Sequence, residues 1–453
     1  MKIHFISIGG SVMHQLAIAL KRKGYIVTGT DDEIFEPAKT NLEREGLLPQ
    51  RFGWNEALIT PDLDAIILGM HAKDDNPELL KAKQLGLSIY SFPEYIYQES
   101  LEKQRIVVGG SHGKTTTTSM IMHVLRHESL KFDYLVGAKL EGFDQSVNIT
   151  DAPVIVCEGD EYPASALEKR PKFHFLYPHV AILTGIAWDH INVFPTFDFY
   201  LEQFRIFIGK IEKEGLLIYN ATDETLVKLV EETKRDDIQY QPYGLPEHEI
   251  KDGETVTTLD GHKGRLNVFG NHNLLNLQAA YYACKTQHIF AEAFLEAIAT
   301  FKGAAKRLEL LASGNGTIVY RDFAHAPSKV KATMQAVRDQ FPGKKVIAIL
   351  ELHTYSSLNE AFMSEYEGAL NGADVAVVFY SSHALEIKRM PFLDPSKVKA
   401  GFNRPDLVVF TSRTELEAWL KAQDYNDTAL LLMSSGNYDG IDVTELASTI
   451  TNR

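Results

Sequence analysis

The sequence has few cysteines and no long hydrophobic run. Only Cys157 and Cys284 occur among 453 residues, and neither belongs to a C-x-x-C pair. Two cysteines cannot form a disulfide framework, which favours a reducing compartment. No apolar segment approaches the ~18 residues of a membrane-spanning helix, and the N-terminus enters a strand pattern without a signal-peptide core. We therefore expect a cytoplasmic protein that does not enter a membrane.

The chain also lacks an excess of basic residues. Its 46 Lys and Arg face 60 Asp and Glu, for a formal net charge of -14. This balance disfavours non-specific binding to nucleic acid or to an anionic membrane surface. Small anionic ligands remain compatible, because they need only a few local positive groups. The length predicts about three domains of ~150 residues each.

The stretch G-G-S-H-G-K-T-T at 109–116 carries the strongest chemical signal. It follows an apolar run, 106–108, and precedes a helix-like segment, 118–125, which is the order that a phosphate-binding P-loop needs. Lys114 would reach the terminal phosphates and Thr115 would hold Mg²⁺. A glycine turn with a chance Lys-Thr pair is the alternative. The candidate nucleotide-binding residues are Gly110, Ser111, His112, Gly113, Lys114, Thr115 and Thr116.

A second glycine turn lies near the N-terminus. A predicted strand, 3–8, leads to Gly9-Gly10-Ser11 and then to a helix over 12–23, and the next strand ends at Asp31. An acid about twenty residues after such a turn is the ribose-contacting arrangement of dinucleotide-binding folds. The turn is not G-x-G-x-x-G, so a nicotinamide dinucleotide is weakly indicated, whereas a UDP group would use the same physics. A βα turn without a ligand is the alternative.

A third predicted strand, 64–69, ends in a polar loop that contains His71 and Asn76. Strand ends of this kind are where open α/β sheets bind ligands, so both residues are ligand candidates. The alternatives are a surface loop for His71 and a helix cap for Asn76, since Pro77 suits the first turn of a helix.

Two further strands of the middle region end in polar residues. The strand 153–157 leads to Glu158 and Glu161, and acids beside a P-loop are where Mg²⁺ would be held. We predict Glu158 as a metal ligand and Glu161 as a neighbour of substrate or metal, with a solvated acidic turn as the alternative. His190 follows the strand 180–184 and is either a ligand or a loop histidine.

The stretch 269–276 is predicted to open a helix over 277–286, with Asn273 and Asn276 one turn apart on one helix face, where their amides would fit an adenine edge. Helix capping is the alternative. From about residue 303 strands and helices alternate again, which predicts another doubly wound sheet. Its strand ends carry Asp322, His325 and His353. The predicted fold is α/β in three domains: a Rossmann-like first domain, 1–103, a P-loop domain, 104–302, and a Rossmann-like third domain, 303–453.

The order of these motifs resembles that of the Mur ligases of peptidoglycan synthesis. The motifs are G-G-S-H-G-K-T-T, E-G-D-E-Y, W-D-H, G-N-H-N-x-x-N, K-R-L-E and D-F-A-H-A-P, and the resemblance covers essentially the whole chain. It implies ATP and Mg²⁺ as cofactors, with Thr115, Glu158 and His190 as metal ligands. It places Asn273 and Asn276 near adenine, and Arg307 and Asp322 over the phosphates and ribose.

The same resemblance implies a UDP-sugar site made of Gly9, Gly10, Ser11, Asp31, His71 and Asn76. Glu161 and His353 would contact substrate, and the catalytic set would be Lys114, Glu158, His190, Arg307 and His325. The implied reaction joins UDP-N-acetylmuramate to the tripeptide L-alanyl-γ-D-glutamyl-meso-diaminopimelate, as in peptidoglycan recycling. L-alanine is the alternative acceptor, and a nucleotide-sugar-binding regulatory module that no longer ligates is a further alternative.

Overall fold

The computed structural model describes residues 1–70, 72–138, 140, 142–165, 167–188, 193–251, 253–303 and 307–452. Two compact units result from the contacts within the chain. One comprises Met1–Leu245 and Leu275–Ala297, and the other Pro246–Leu274 and Ile298–Arg453. The predicted α/β class is confirmed, whereas the boundaries at 103 and 302 stay a prediction.

The first region is a four-stranded parallel sheet covered by helices. Its strands are β1 (Lys2–Ile6), β2 (Ile26–Thr30), β3 (Ala65–Leu68) and β4 (Ile89–Ser91), in the spatial order β2-β1-β3-β4. Its helices are α1 (Met13–Arg22), α2 (Ala38–Arg44), α3 (Pro77–Gln84) and α4 (Phe92–Gln98). The strand order reverses direction at β1, and such switch points are where open α/β sheets bind ligands.

A seven-stranded sheet follows in the same unit. Its strands are β5 (Gln104–Gly109), β6 (Asp133–Leu135), β7 (Val147–Asn148), β8 (Val154–Glu158), β9 (Val180–Leu183), β10 (Leu216–Asn220) and β11 (Gln239–Tyr243). They lie in the order β11-β10-β9-β5-β8-β6-β7, and only the edge strand β7 is antiparallel to its neighbour. The helices are α5 (Lys114–His127), α6 (Phe197–Gly209) and α7 (Glu224–Glu232). Because β5 lies between β8 and β9, their carboxyl ends meet at one edge.

The other unit begins with a small antiparallel sheet of β12 (Glu247–Lys251), β13 (Glu254–Leu259) and β14 (His262–Leu266). Gln340 holds this sheet, since its Nε2 donates to Gly253 O at 2.6 Å and its Oε1 accepts from Thr255 Oγ1 at 2.9 Å. The helices α8 (Asn271–Lys285) and α9 (Ala291–Ile298) come next in the chain, and the part of them within Leu275–Ala297 belongs to the first unit. The sequence did not predict these three strands.

A six-stranded sheet completes the second unit. Its strands are β15 (Glu309–Gly314), β16 (Thr317–Asp322), β17 (Lys345–Glu351), β18 (Val375–Phe379), β19 (Val408–Phe410) and β20 (Thr428–Met433), in the order β15-β16-β20-β17-β18-β19. The helices are α10 (Pro327–Gln340), α11 (Ser382–Ile387), α12 (Pro395–Gly401), α13 (Arg413–Ala422) and α14 (Val443–Thr451). Only β15 is antiparallel, so the predicted doubly wound sheet is present.

Candidate active site

The P-loop connects the central strand β5 to α5. Gly110 and Gly113 have φ angles of +126° and +82°, which L side chains rarely adopt. A Cβ on Gly110 would lie 2.2 Å from Thr184 Oγ1, and one on Gly113 would lie 2.3 Å from Asn276 Oδ1. Glycine is therefore required at both positions by conformation and by space. Thr116 is buried in the first turn of α5.

Neighbouring residues that the sequence did not single out hold this loop in place. Thr184 Oγ1 donates to the carbonyl oxygens of His112 and, at 3.2 Å, of Gly109. Ser111 Oγ lies 2.7 Å from the Tyr200 hydroxyl and accepts from Ala187 N at 2.9 Å. The position of Thr184 immediately after β9 is a signal that could have identified it, because β9 pairs with β5.

Lys114 and Glu161 form a buried ion pair at the start of α5. The Lys114 Nζ donates to Glu161 Oε2 at 2.8 Å and Oε1 at 3.1 Å, and also to Gly110 O at 2.6 Å. The two side chains are 14% and 2% exposed. Burial lowers the pKa of Lys114, but Glu161, with Glu158 and Asp160, outweighs burial and raises it. Lys114 is therefore held as a cation at the start of α5.

Thr115 and Glu158 form a second pair beside the first. Thr115 Oγ1 donates to Glu158 Oε1 at 2.8 Å, and Gly137 N donates to Oε2 of the same carboxylate at 2.8 Å. A hydroxyl and a carboxylate are the oxygen ligands that Mg²⁺ prefers. No group of three or more His, Cys, Asp or Glu in the described part of the chain could hold a metal. His190, the remaining predicted ligand, lies outside the described residues.

The loop that carries Glu161 is tied down on both sides. Lys172 Nζ donates to Asp160 Oδ2 at 2.6 Å, and Lys172 N donates to Tyr162 O at 2.9 Å. Burial raises the pKa of Asp160, but the Lys172 ammonium more than offsets this, so the pKa is lowered overall. An antiparallel bridge joins Pro163 to Pro171. These contacts fix Glu161 relative to the P-loop.

At the first glycine turn, Asp31 contacts the backbone of the turn. Its Oδ2 accepts from Gly9 N at 2.7 Å, and its Oδ1 accepts from Asp32 N at 3.0 Å. Burial raises the pKa of Asp31 to about 6, although the Gly9 N–H opposes this. Gly10 O accepts from His14 Nδ1 at 2.8 Å, and Ser11 is exposed at the start of the helix. Asp31 therefore has a structural contact with the turn, and its ligand-contacting role stays a prediction.

The polar loop after β3 is described only in part. Asn76 Oδ1 accepts from Glu78 N and Leu79 N at 3.0 Å each, so its side chain caps α3, which was the predicted alternative to ligand binding. His71 lies outside the described residues.

The two asparagines of α8 have different surroundings. Helix α8 begins at Asn271, six residues before the predicted start, so both asparagines lie within it. Asn276 contacts Gly113 of the P-loop. Asn273 Nδ2 donates to Phe269 O at 2.9 Å. The predicted position of both amides at adenine remains a proposal.

In the second unit, Asp322 organises the carboxyl end of β16. Its Oδ2 accepts from Leu308 N and its Oδ1 from Ala324 N, both at 2.6 Å. Burial raises the pKa of Asp322, although His272 and Arg307 oppose this. The Arg307 guanidinium lies over the Phe323 ring, 4.5 Å from its centroid. Asp322 thereby fixes the backbone on either side of it.

Both predicted histidines of this unit lie at the same sheet edge. His325 Nδ1 donates to Phe323 O at 2.8 Å. His353 follows β17 and lies against Gly436, where a Cβ would be 2.7 Å from His353 Cδ2. Glu351, which was not predicted, accepts from Ser434 Oγ and, at 2.9 Å, from Tyr438 N.

Among the described residues, no helix has the length and apolar character to cross a bilayer.

Comparisons with known proteins agree with this geometry. Three family models match in order: the Mur ligase family catalytic domain at residues 2–103, the Mur ligase middle domain at 108–284, and the Mur ligase glutamate ligase domain at 306–436. The middle-domain match contains the P-loop and both of its acidic partners.

Individual relatives extend over most of the chain. The UDP-N-acetylmuramate–L-alanine ligase of Clostridium acetobutylicum is 30% identical over 83% of this chain and 82% of its own length. The UDP-N-acetylmuramate–L-alanyl-γ-D-glutamyl-meso-2,6-diaminoheptandioate ligase of Haemophilus influenzae is 28% identical over 97% of both chains. A crystal structure of the corresponding diaminopimelate ligase from Neisseria meningitides aligns with a TM-score of 0.59 and 28% identity, covering 66% of this chain and 98% of that one. The chain belongs to the Mur ligase family of ATP-dependent amide ligases.

Proposed function

We propose that this protein joins the lactyl carboxylate of UDP-N-acetylmuramate to the α-amino group of the tripeptide L-alanyl-γ-D-glutamyl-meso-diaminopimelate. The observation that carries this choice is the alignment with the Haemophilus influenzae tripeptide ligase through 97% of both chains. L-alanine is the second candidate acceptor. It is favoured by the 30% identity with the Clostridium acetobutylicum alanine ligase over 83% of this chain.

The P-loop residues suit ATP with Mg²⁺. Gly110 and Gly113 adopt the positive φ angles of a turn whose backbone N–H groups can face phosphate oxygens. Thr115 and Glu158 offer oxygen ligands to Mg²⁺, and His190 is the further candidate. When bound, the ion would neutralise charge on the phosphoryl oxygens. Lys114 would bind the transferring phosphoryl group.

The chemistry requires an activated acyl group, because a carboxylate and an amine do not condense in water. The sugar carboxylate attacks the γ-phosphorus of ATP, ADP leaves, and an acyl phosphate forms. The acceptor amine then attacks the acyl carbon, phosphate leaves, and one proton is released. Lys114 stabilises charge on the phosphoryl group in both steps. Arg307 and Asp322 are proposed to contribute to nucleotide binding.

The UDP-sugar is proposed to bind at the first glycine turn. Gly10 and Ser11 would present backbone N–H groups to the diphosphate at the start of α1, as helix N-termini do for anions, with Gly9 completing the turn. Asp31 holds Gly9 in position through the 2.7 Å hydrogen bond. His325 and His353 would lie on the acceptor side.

Acceptor competition tests this proposal. The purified protein is given UDP-N-acetylmuramate, ATP and Mg²⁺ with either the tripeptide or L-alanine, and phosphate release and product mass are measured. We expect ligation with the tripeptide and at least tenfold less with L-alanine, and no turnover by Lys114→Ala. Turnover with L-alanine but not with the tripeptide would show that L-alanine is the acceptor. Binding of the UDP-sugar without ATP consumption under either acceptor would indicate the regulatory module.

A further inference from the structure

We propose that Asp223 is a positioning residue for ATP binding, which acts on the P-loop through the segment 184–187. This segment follows β9 and contacts both the P-loop and the start of α7, and all of these parts belong to the first unit. The inference rests on the proposed binding of ATP at the P-loop and is independent of the identity of the acceptor.

The segment binds carbonyl groups of the P-loop. Thr184 N donates to Gly109 O at 3.1 Å, and Thr184 Oγ1 donates to the carbonyl oxygens of Gly109 and His112. Carbonyl oxygens repel phosphate oxygens, so a phosphate-binding loop needs its carbonyls turned away from the ligand and its N–H groups turned toward it. By donating to these two carbonyls, Thr184 turns them toward the segment.

Two further hydrogen bonds fix Ser111 in the middle of the loop. Ser111 N donates to Gly185 O at 2.9 Å, and Ser111 Oγ accepts from Ala187 N at 2.9 Å. Three of the four residues in the segment therefore contact the P-loop directly. The shape of the loop depends on where this segment lies.

Asp223 contacts the fourth residue of the segment. Its Oδ2 accepts from Ile186 N at 2.6 Å, while its Oδ1 accepts from Leu226 N at 3.0 Å and caps α7. A Cβ on Gly185 would lie 3.0 Å from Asp223 Oδ2, so the glycine leaves room for the carboxylate. One oxygen of Asp223 thus serves a helix, and the other holds the segment against the P-loop.

The contact between Asp223 and Ile186 adds to a weaker one nearby. Asn220 Nδ2 donates to Thr184 O at 3.2 Å, which holds only the first residue of the segment. A hydrogen bond to a carboxylate is stronger than one between neutral groups. Loss of Asp223 Oδ2 would therefore loosen the part of the segment that contacts Ser111.

The substitution Asp223→Ser separates the two roles of this side chain. Serine is a favoured N-cap, but its single side-chain oxygen lies one bond closer to the backbone, so it keeps the cap and loses Ile186 N. Asp442→Ser is the matched control. Asp442 Oδ1 caps α14 in the second unit, where it accepts from Thr444 N and Glu445 N at 3.0 Å each.

Calorimetric titration measures the affinity of each protein for ATP with Mg²⁺ and for UDP-N-acetylmuramate. For Asp223→Ser we expect the Kd for ATP to rise at least fivefold while the Kd for UDP-N-acetylmuramate stays within twofold of wild type. Asp442→Ser should stay within twofold of wild type for both ligands. An unchanged ATP affinity of Asp223→Ser, or an equal loss of both affinities, would overturn the proposal, since Asp223 would then serve only the fold.

If Asp223→Ser does not fold, Asp223→Asn replaces it, because asparagine has the same shape but one acceptor oxygen for two N–H donors. The same selective loss of ATP affinity is expected, and an unchanged ATP affinity would again overturn the proposal. A wild-type protein that does not bind ATP would refute the proposed function itself. That result is distinct from ATP binding by the wild type that the substitution leaves unaltered.

Discussion

The side chain of Asn276 fills the space that a Cβ on Gly113 would occupy. The virtual Cβ would lie only 2.3 Å from Asn276 Oδ1, and Gly113 has a φ of +82°. The last glycine of the P-loop is therefore fixed by a helix residue that lies 163 positions later in the chain. Asn276 thus shapes the loop that precedes Lys114, whether or not its amide also contacts adenine.

Gly113→Ala should weaken nucleotide binding, because the methyl group cannot enter this space and the left-handed backbone disfavours alanine. We expect the affinity for ATP, measured by calorimetry, to fall at least tenfold. Gly261→Ala is the matched control. Gly261 has a φ of +85° but no atom within 4 Å of its virtual Cβ, so this variant should lose about 1 kcal/mol of stability and keep its ATP affinity. Equal ATP affinities of the two variants would contradict the expectation.

Lys114→Ala should abolish ligation and also destabilise the fold, because it leaves the Glu161 carboxylate buried without this partner. Breaking a buried pair costs roughly 3–5 kcal/mol. The double variant Lys114→Ala/Glu161→Gln should recover most of the unfolding free energy in a denaturant titration while remaining inactive. Ligation by a folded Lys114→Ala protein would remove Lys114 from the mechanism.

Asp31 should make the protein less stable as the pH rises through its raised pKa. The pKa of Asp31 is about 6 in the folded protein, against an ordinary value near 3.8. The folded state binds this proton more tightly than the unfolded state does. The stability that protonated Asp31 contributes is therefore fully present below pH ~4 and is lost as the pH rises through 6.

Asp31→Asn removes this titration while its amide oxygen can still accept from Gly9 N. From pH 4 to pH 7, the difference in unfolding free energy between variant and wild type should shift in favour of the variant by on the order of 1–3 kcal/mol. Chemical denaturation at a series of pH values measures this difference. A constant difference would show that the carboxyl group is already ionised at pH 4.

The sequence predicted elements whose signals are local. The strands around the two glycine turns, the cap of α3 by Asn76 and the P-loop itself were all recognisable from short stretches. The family resemblance is confirmed, and with it the three-part α/β fold. The pairing of Glu161 with Lys114 was anticipated only as proximity to substrate or metal, because an ion pair across 47 residues has no sequence signature.

Other features could not be read from the chain. Tyr200 and Glu351 act through contacts between distant elements, and their residue types are unremarkable in isolation. The antiparallel strands β12 to β14 have mixed polar composition, so their pairing depends on turns such as Asp260-Gly261, where both residues have positive φ. The start of α8 was placed too late, because its first turn is rich in asparagine, which favours caps over helix interiors.

The two buried cysteines can report on local unfolding of the elements that carry them. Cys157 lies on β8 immediately before Glu158, and Cys284 lies on α8; both are buried, and burial raises the pKa of each thiol, to about 12 for Cys157. Alkylating reagents attack the thiolate, so modification must await exposure of these side chains. The rate of alkylation of Cys157 would therefore measure how often the sheet that carries the P-loop opens.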